Sequence, residues 1–472
     1  MSVLMLKRVP TLISLSQEEA DSTEASATLA ARQAAAAPAA KISACGQPGV
    51  KVPVLRFYAS NALANRRVRS FGAFGDDQRV PDVEDNDSGS DSRESGEDDG
   101  TVLSKSSFDM ITLASWEEKA EQGLFRYDVT ACPTKVLRGA YGFIAQCNVG
   151  RATQKRATEF RIDQVIQDFD DSKFNFTKAS TVEVLFDFRP TKHKSSVGYA
   201  EAEGTGASPH LVLINVSPIE YGHILLVPNV NDKLPQALTP NTMLLALNMA
   251  AEAANPYFRV GFNSLGAYAT INHLHFQAYY LASPFPVERA HTVTVQATKK
   301  RRLGVMLGRL AEFPVRGLVY EMGDGTLDAL AAAVGGCAAE LSRRNIPFNV
   351  LICDRGARVF VFPQCYAERQ AKGEVEEKYL ETGVNPAVFE IAGHIVLKKE
   401  SDYENMSQSL AWDLLAQVSL SEAKFREVED IAVEALFAAV NITGSVGADL
   451  DSFGVGTPPR EPLMTIPSGV AT

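Results

Sequence analysis

The feature that most constrains this chain is the length of its apolar runs. Across 181–188, 210–216, 223–227, 258–263, 273–281, 348–353, 358–362 and 388–398 they are short, separated by Gly, Pro, Asn and Asp. Runs of this kind form strands, not long buried helices. Helical patterns fall between groups of strands. Residues 108–122 are amphipathic, and Thr239 with Pro240 supplies an N-cap and a first-turn proline for a helix through Ala254. A third helix is expected over Leu327–Arg343. Ser419 and Glu422 have capping-box spacing ahead of Phe425, Val428, Ala432, Leu436 and Ala439, which share one helical stripe. Strands and helices do not alternate regularly, which predicts an α+β fold with antiparallel sheets.

The chain has 472 residues, enough for two to four domain-sized units or for one large duplicated domain. Residues 210–228 and 347–363 echo one another as strand–turn–strand units ending in Val-Pro or Phe-Pro, which favours duplication over shared hairpin chemistry. The expected organisation is a disordered leader over 1–101, a first half over 102–320 that carries the chemistry, a degenerate second half over 321–442, and a loose tail over 443–472.

Charge supports this division. Between Asp76 and Asp99 stand eleven acidic and two basic side chains, so this linker carries −9 of the net −11. The body is close to neutral, which disfavours a nucleic-acid or anionic-membrane partner. Within the leader, 52–58 is apolar enough to dock on the body. Arg66, Arg67 and Arg69 read as a solvated linker or a nuclear address. No apolar run approaches the roughly 18 residues of a membrane span. Early acids (Glu18, Glu19, Asp21, Glu24) disfavour a secretory or transit signal. Six cysteines without C-x-x-C spacing suit free thiols in a reducing compartment, so a cytoplasmic location is expected, with nuclear entry open through the arginines.

The chemistry-bearing residues lie in INHLHFQAYYLA. On a strand, His273, His275, Gln277 and Tyr279 share one face, and Leu274, Phe276, Ala278 and Tyr280 the other. Three readings fit that polar face: a satisfied structural face, a two-histidine metal site, or a nucleophile beside a phosphate site. The preceding GFNSLGAYATI supplies Asn263, Ser264 and Thr270 among glycines, donors suited to the non-bridging oxygens of a diphosphate. A neutral imidazole is able to attack phosphorus.

H-L-H-F-Q resembles the His-x-His-x-Gln signature of the galactose-1-phosphate uridylyltransferase branch of the histidine-triad superfamily. SPIEYGHILLVP resembles its upstream strand–turn–strand. VLRGAYGFIAQ, KRATEFRIDQV, FDDSKFNFTK and NPAVFEIAGHIVLKK bring the chain closer still to the GDP-L-galactose phosphorylases of plants and green algae. The resemblance implies antiparallel half-barrel sheets and a two-step transfer serving L-ascorbate synthesis. In it His275 attacks the α-phosphorus of GDP-L-galactose, and inorganic phosphate then releases GDP. It implies that Gln277 holds an α-phosphate oxygen and that His273 orients His275 through its carbonyl. Asn215, eight residues before His223, takes the ribose position, and Asn263 and Thr270 take phosphate positions.

Arg151, Lys155, Arg156 and Arg161 form a basic loop that reads either as solvated or as meeting the β-phosphate or the incoming phosphate, Arg156 being the one taken as substrate-binding. His223 reads equally as core or as site. The cysteine pair of zinc-bearing uridylyltransferases is absent, so neither metal nor cofactor is expected; a homodimer is. The competing readings are a GDP-D-glucose phosphorylase, a non-catalytic guanine-nucleotide sensor and a dinucleotide hydrolase.

Overall fold

The computed structural model describes residues 40–45, 52–58, 106–154, 161, 163–191, 196–200, 208–297 and 304–443. The acidic linker, the arginine cluster, Lys155, Arg156 and residues 444–472 lie outside these. Twelve strands form one sheet: β1 (Val52–Tyr58), β4 (Val184–Thr191), β5 (Ser196–Ala200), β6 (Leu211–Ile214), β7 (Ile224–Val227), β8 (Phe258–Asn263), β9 (Phe276–Tyr280), β10 (Thr292–Ala297), β11 (Met306–Leu310), β12 (Leu318–Glu321), β13 (Phe348–Cys353) and β14 (Arg358–Pro363). A second, three-stranded sheet holds β2 (Thr134–Val136), β3 (Ile144–Cys147) and β15 (His394–Leu397). The expected α+β class with a largely antiparallel sheet is what the chain adopts.

The order in the large sheet is β10-β11-β12-β14-β13-β8-β9-β7-β6-β4-β1-β5. One connectivity recurs in it. Three strands, a helix and two more strands give the order β4-β6-β7-β9-β8 and, again, β10-β11-β12-β14-β13. The two sets meet where β8 pairs antiparallel with β13. The echoing segments 210–228 and 347–363 are β6–β7 and β13–β14, which hold different places in their sets. Their likeness is therefore hairpin chemistry, not a repeat unit.

Helices Ser107–Glu121, Pro240–Ala253, Leu327–Arg343 and Glu422–Thr443 share one core with the sheet, centred on Phe108, Trp116, Met243, Leu247, Val334, Leu341, Phe425 and Leu436. Their starts follow local chemistry. Ser106 Oγ accepts from Asp109 N at 3.0 Å, Thr239 from Thr242 N at 3.3 Å, and Thr326 from Ala329 N at 3.1 Å. The last helix departs from expectation. Ser421 caps it through Lys424 N, while Ser419 Oγ is occupied by Arg316.

The opposite face of the sheet is roofed in two places. Over β6 and β7, Ile42 and Cys45 pack with Phe176, Leu211, Leu213 and Val227. Over β8, β13 and β14, the small sheet and the Val388–Ala392 helix pack with Tyr279, Phe285, Leu351 and Phe360. Residues 388–398 were expected to form one strand. Instead Gly393, at φ +110°, ends a short helix and lets β15 begin at His394. The leader segment 52–58 docks as a full strand, parallel to β4 and antiparallel to β5.

Candidate active site

Between the two roofs the sheet face carries Gln277. In register it stands between Leu225 of β7 and Gly261 of β8. Gly261 has no room for a side chain, since a Cβ there would sit 2.6 Å from Val388 Cγ1. The 388–392 helix thus closes down directly beside Gln277.

The histidines do not lie on the strand itself, which starts at Phe276 instead of 273. The reason is local. Leu274 N donates to Leu234 O at 2.8 Å, and a side chain replaces the next ladder partner. Gln236 Oε1 accepts from His275 N at 2.9 Å, while its Nε2 donates to His275 O at 3.1 Å and to Asn263 O at 2.8 Å. The alternation survives on the far side, where Leu274, Phe276, Ala278 and Tyr280 enter the helix-covered core.

His275 Nδ1 lies 2.8 Å from the carbonyl oxygen of His273. A carbonyl only accepts, so Nδ1 carries the proton and the lone pair is on Nε2. That Nε2 has no protein partner and, unlike His273 Nε2, is not sealed from solvent. Burial lowers the His275 pKa to about 4, against a small upward pull from the His273 carbonyl, so the ring is neutral at pH 7. His273 takes the opposite tautomer. Phe176 N donates to its Nδ1 at 3.1 Å, and its Nε2–H points toward the Val230 carbonyl without reaching hydrogen-bond geometry. Burial first, then the neighbouring His275, lowers its pKa to about 3. Phe169 and Phe176 wall the pair, with ring centroids 5.4 Å and 5.5 Å from that of His273.

His223 is fully buried beside this cluster. Ile219 N donates to its Nδ1 at 2.8 Å, which leaves the proton on Nε2. The Gln277 side chain lies beside His223 and pulls its pKa up, against burial and the neighbouring Arg151. Burial lowers the His223 pKa to about 3. Asn215 Nδ2 lies 3.1 Å from His223 Nε2, and Asn215 Oδ1 accepts from Ser217 N at 3.1 Å.

The structure therefore gathers His273, His275, Gln277, His223 and Asn215. It sends two other candidates elsewhere. Asn263 Oδ1 is taken by Asn349 Nδ2 at 2.7 Å and Val388 N at 3.0 Å. Ser264 Oγ is taken by Phe348 N and Leu265 O. Both hold the β8–β13 junction, because the β8 end they occupy is crossed by the second set of strands. Thr270 is half-buried in the loop before His273, and Arg156 lies outside the described residues. Among the described residues no three His, Cys, Asp or Glu side chains converge as a metal set.

Gln236, 39 residues from His275, had no signal in sequence, while Phe176 lay in the FDDSKFNFTK stretch with no role assigned to it. Replacing Gln236 with Leu removes three hydrogen bonds to the backbone around His275. We expect kcat to fall about 100-fold from the displaced imidazole and stability to fall by about 1–3 kcal/mol for each orphaned group. Steady-state kinetics and denaturant unfolding check this, and a Gln236→Leu protein with wild-type kcat contradicts the clamp.

Residues 107–279 match the family model described as GDPGP1-like, N-terminal domain, and residues 286–439 match the GDPGP1-like, C-terminal domain. GDP-L-galactose phosphorylase 2 of Arabidopsis thaliana is 54% identical over 330 residues, covering 69% of this chain and 76% of its own. GDP-D-glucose phosphorylase 1 of Homo sapiens is 33% identical over 343 residues, covering 70% of this chain and 83% of its own. The crystal structure of the yeast Ap4A phosphorylase Apa2 superposes with a TM-score of 0.44 at 15% identity, over 67% of this chain and 97% of that one. The chain belongs to the GDPGP1-like family, to which the GDP-L-galactose phosphorylases are similar over most of the described body.

Proposed function

We propose that this chain is a nucleotidyltransferase, a GDP-L-galactose phosphorylase that forms L-galactose 1-phosphate and GDP from GDP-L-galactose and inorganic phosphate. One observation carries the reading: a neutral His275 with Nδ1 fixed by a carbonyl and Nε2 open, two residues from the Gln277 amide. Nε2 attacks the α-phosphorus and the bond to the β-phosphate oxygen breaks, so the sugar phosphate leaves and GMP stays on His275. Hydrogen phosphate then attacks the same phosphorus, the N–P bond breaks, and GDP departs with the phosphate's own proton. Gln277 donates to an equatorial α-phosphate oxygen, where charge gathers in both transition states. His273 fixes the tautomer of His275, His223 packs beside Gln277, and Asn215 is placed to meet a ribose hydroxyl. A sugar phosphate is an adequate leaving group, so an amide suffices where a proton donor is not required.

The 54% relatives favour L-galactose over D-glucose as the sugar. The test is GDP formation from GDP-L-galactose, its dependence on phosphate, and comparison of kcat/KM with GDP-D-glucose. No phosphate-dependent GDP with either sugar sinks the reading, and a preference for GDP-D-glucose replaces the substrate.

The recurring connectivity supports two related halves of uridylyltransferase-like type, meeting near 280–286 instead of 320. In the second, Phe360 pairs with the fourth residue of β13 as Gln277 pairs with the fourth of β8, so that half carries no donor there. A role in L-ascorbate synthesis, a cytoplasmic location with nuclear entry through the arginine cluster, and a homodimer complete the proposal. Among the described residues no helix is long and apolar enough to cross a membrane.

A further inference from the structure

The small sheet docks on the turn that carries the site. Gln146 Nε2 donates to Ile219 O at 2.7 Å, and Asn148 Nδ2 to Pro218 O at 3.4 Å. Two cations ride on that sheet. Asn148 N donates to Leu397 O at 2.8 Å, which sets Lys398 beside residue 148, and Arg151 N donates to Asn148 Oδ1 at 3.0 Å. Arg151 Nη1 then reaches Ser217 O at 2.8 Å, and Ser217 is tied to Asn215, which lies against His223 and hence Gln277. Lys398 Nζ donates to Gly383 O and is half-buried. Buried carboxylates stand near this pair as well: Glu390 pulls the Lys398 pKa up, and Glu220 Oε2 lies 3.4 Å from Gln146 Nε2.

We infer that Arg151 and Lys398 form the cradle for the phosphate that is not attacked: the β-phosphate of the nucleotide sugar in the first step and inorganic phosphate in the second. The inference rests on the phosphorylase reading and deepens it. Both displacements run in line with His275 Nε2, so the leaving sugar phosphate and the entering phosphate pass through the same place, on the side of the α-phosphorus away from the ring. One pair of cations serves both. It also explains how phosphate outcompetes water, since a dianion is held there and water is not. Burial and the neighbouring Arg151 hold the Lys398 pKa below the usual lysine range, with Glu390 acting the other way, which accords with two cations sharing one pocket.

The test measures the KM for inorganic phosphate and the ratio of GMP to GDP formed from GDP-L-galactose, in the full chain and in Lys398→Met, Arg151→Met and Lys398→Arg. The methionine variants should raise the phosphate KM about tenfold or more, from loss of a hydrogen bond between charged groups. They should also raise the GMP share, because water then intercepts the guanylyl-enzyme. Lys398→Arg, which keeps the charge and guards against a folding defect, should restore most of both. Wild-type protein that makes no GDP sinks the phosphorylase reading itself. Wild-type turnover, with both methionine variants keeping its phosphate KM and product ratio, overturns only the cradle.

Discussion

Lowering the pH from 7 to 5 should remove about 8 kcal/mol of folding stability, as much as a whole domain commonly has. The main cause is four fully buried neutral histidines, and His210, lowered to about 4 by burial and Arg189, adds to them. His223, His273 and His394 have pKa values lowered to about 3, and His275 to about 4, in each case chiefly by burial. All four rings are at most 5% exposed. In the unfolded chain each returns to 6.5 and takes up a proton the native state refuses, so between these values the unfolded state binds more protons and stability rises with pH. The contribution is complete above about pH 6.5 and is lost as pH falls through the folded values, toward 3. At pH 5 each ring has given up about 2 kcal/mol. Guanidinium unfolding at pH 7, 6 and 5 checks this, and a stability unchanged across that range contradicts it. His394 offers a separate handle, since it lies away from Gln277 with Nδ1 on Tyr279 OH at 2.9 Å. A His394→Gln variant should flatten the slope by about one fifth.

The second large effect is on chemistry. His275→Ala should cost at least ~10⁴-fold in kcat, because no other ring nitrogen in the site combines an open lone pair with the right tautomer. With labelled GDP-L-galactose and no phosphate, the wild type should retain nucleotide as an acid-labile, alkali-stable phosphoramidate, and the variant none. His273→Ala should be milder, since it keeps the backbone carbonyl that orients His275 and loses only the seat of Phe176. A His275→Ala protein that still releases GDP at the wild-type rate would require another nucleophile.

What could be read in sequence follows how locally each feature is determined. Leu327–Arg343 forms as expected because Thr326 caps it and its apolar stripe is internal to the helix. Val52–Tyr58 reads correctly because an apolar run in a polar leader has few other fates. The junction at Gly393 was legible in principle, since Val388, Phe389, Ile391 and Ala392 have helical spacing and a glycine follows. The start of β9 was not, because it depends on Gln236 standing in for a strand. Nor was the fate of Asn263, which Asn349 claims from 86 residues away, with Gln364 bonding Asn349 in turn. The H-x-H-x-Q spacing picked out His275 and Gln277, while His223 beside them read equally as core or as site.

The leader strand has a consequence for how the chain comes together. β1 stands between β4 and β5, and β5 has no other neighbour in the sheet. On the ribosome β1 emerges about 130 residues ahead of β4, a wait of roughly 10 s at ordinary rates of synthesis. During that wait an apolar strand has no partner in its own chain, so this end of the sheet is where a chaperone would find its earliest client and where a shortened protein would begin to aggregate.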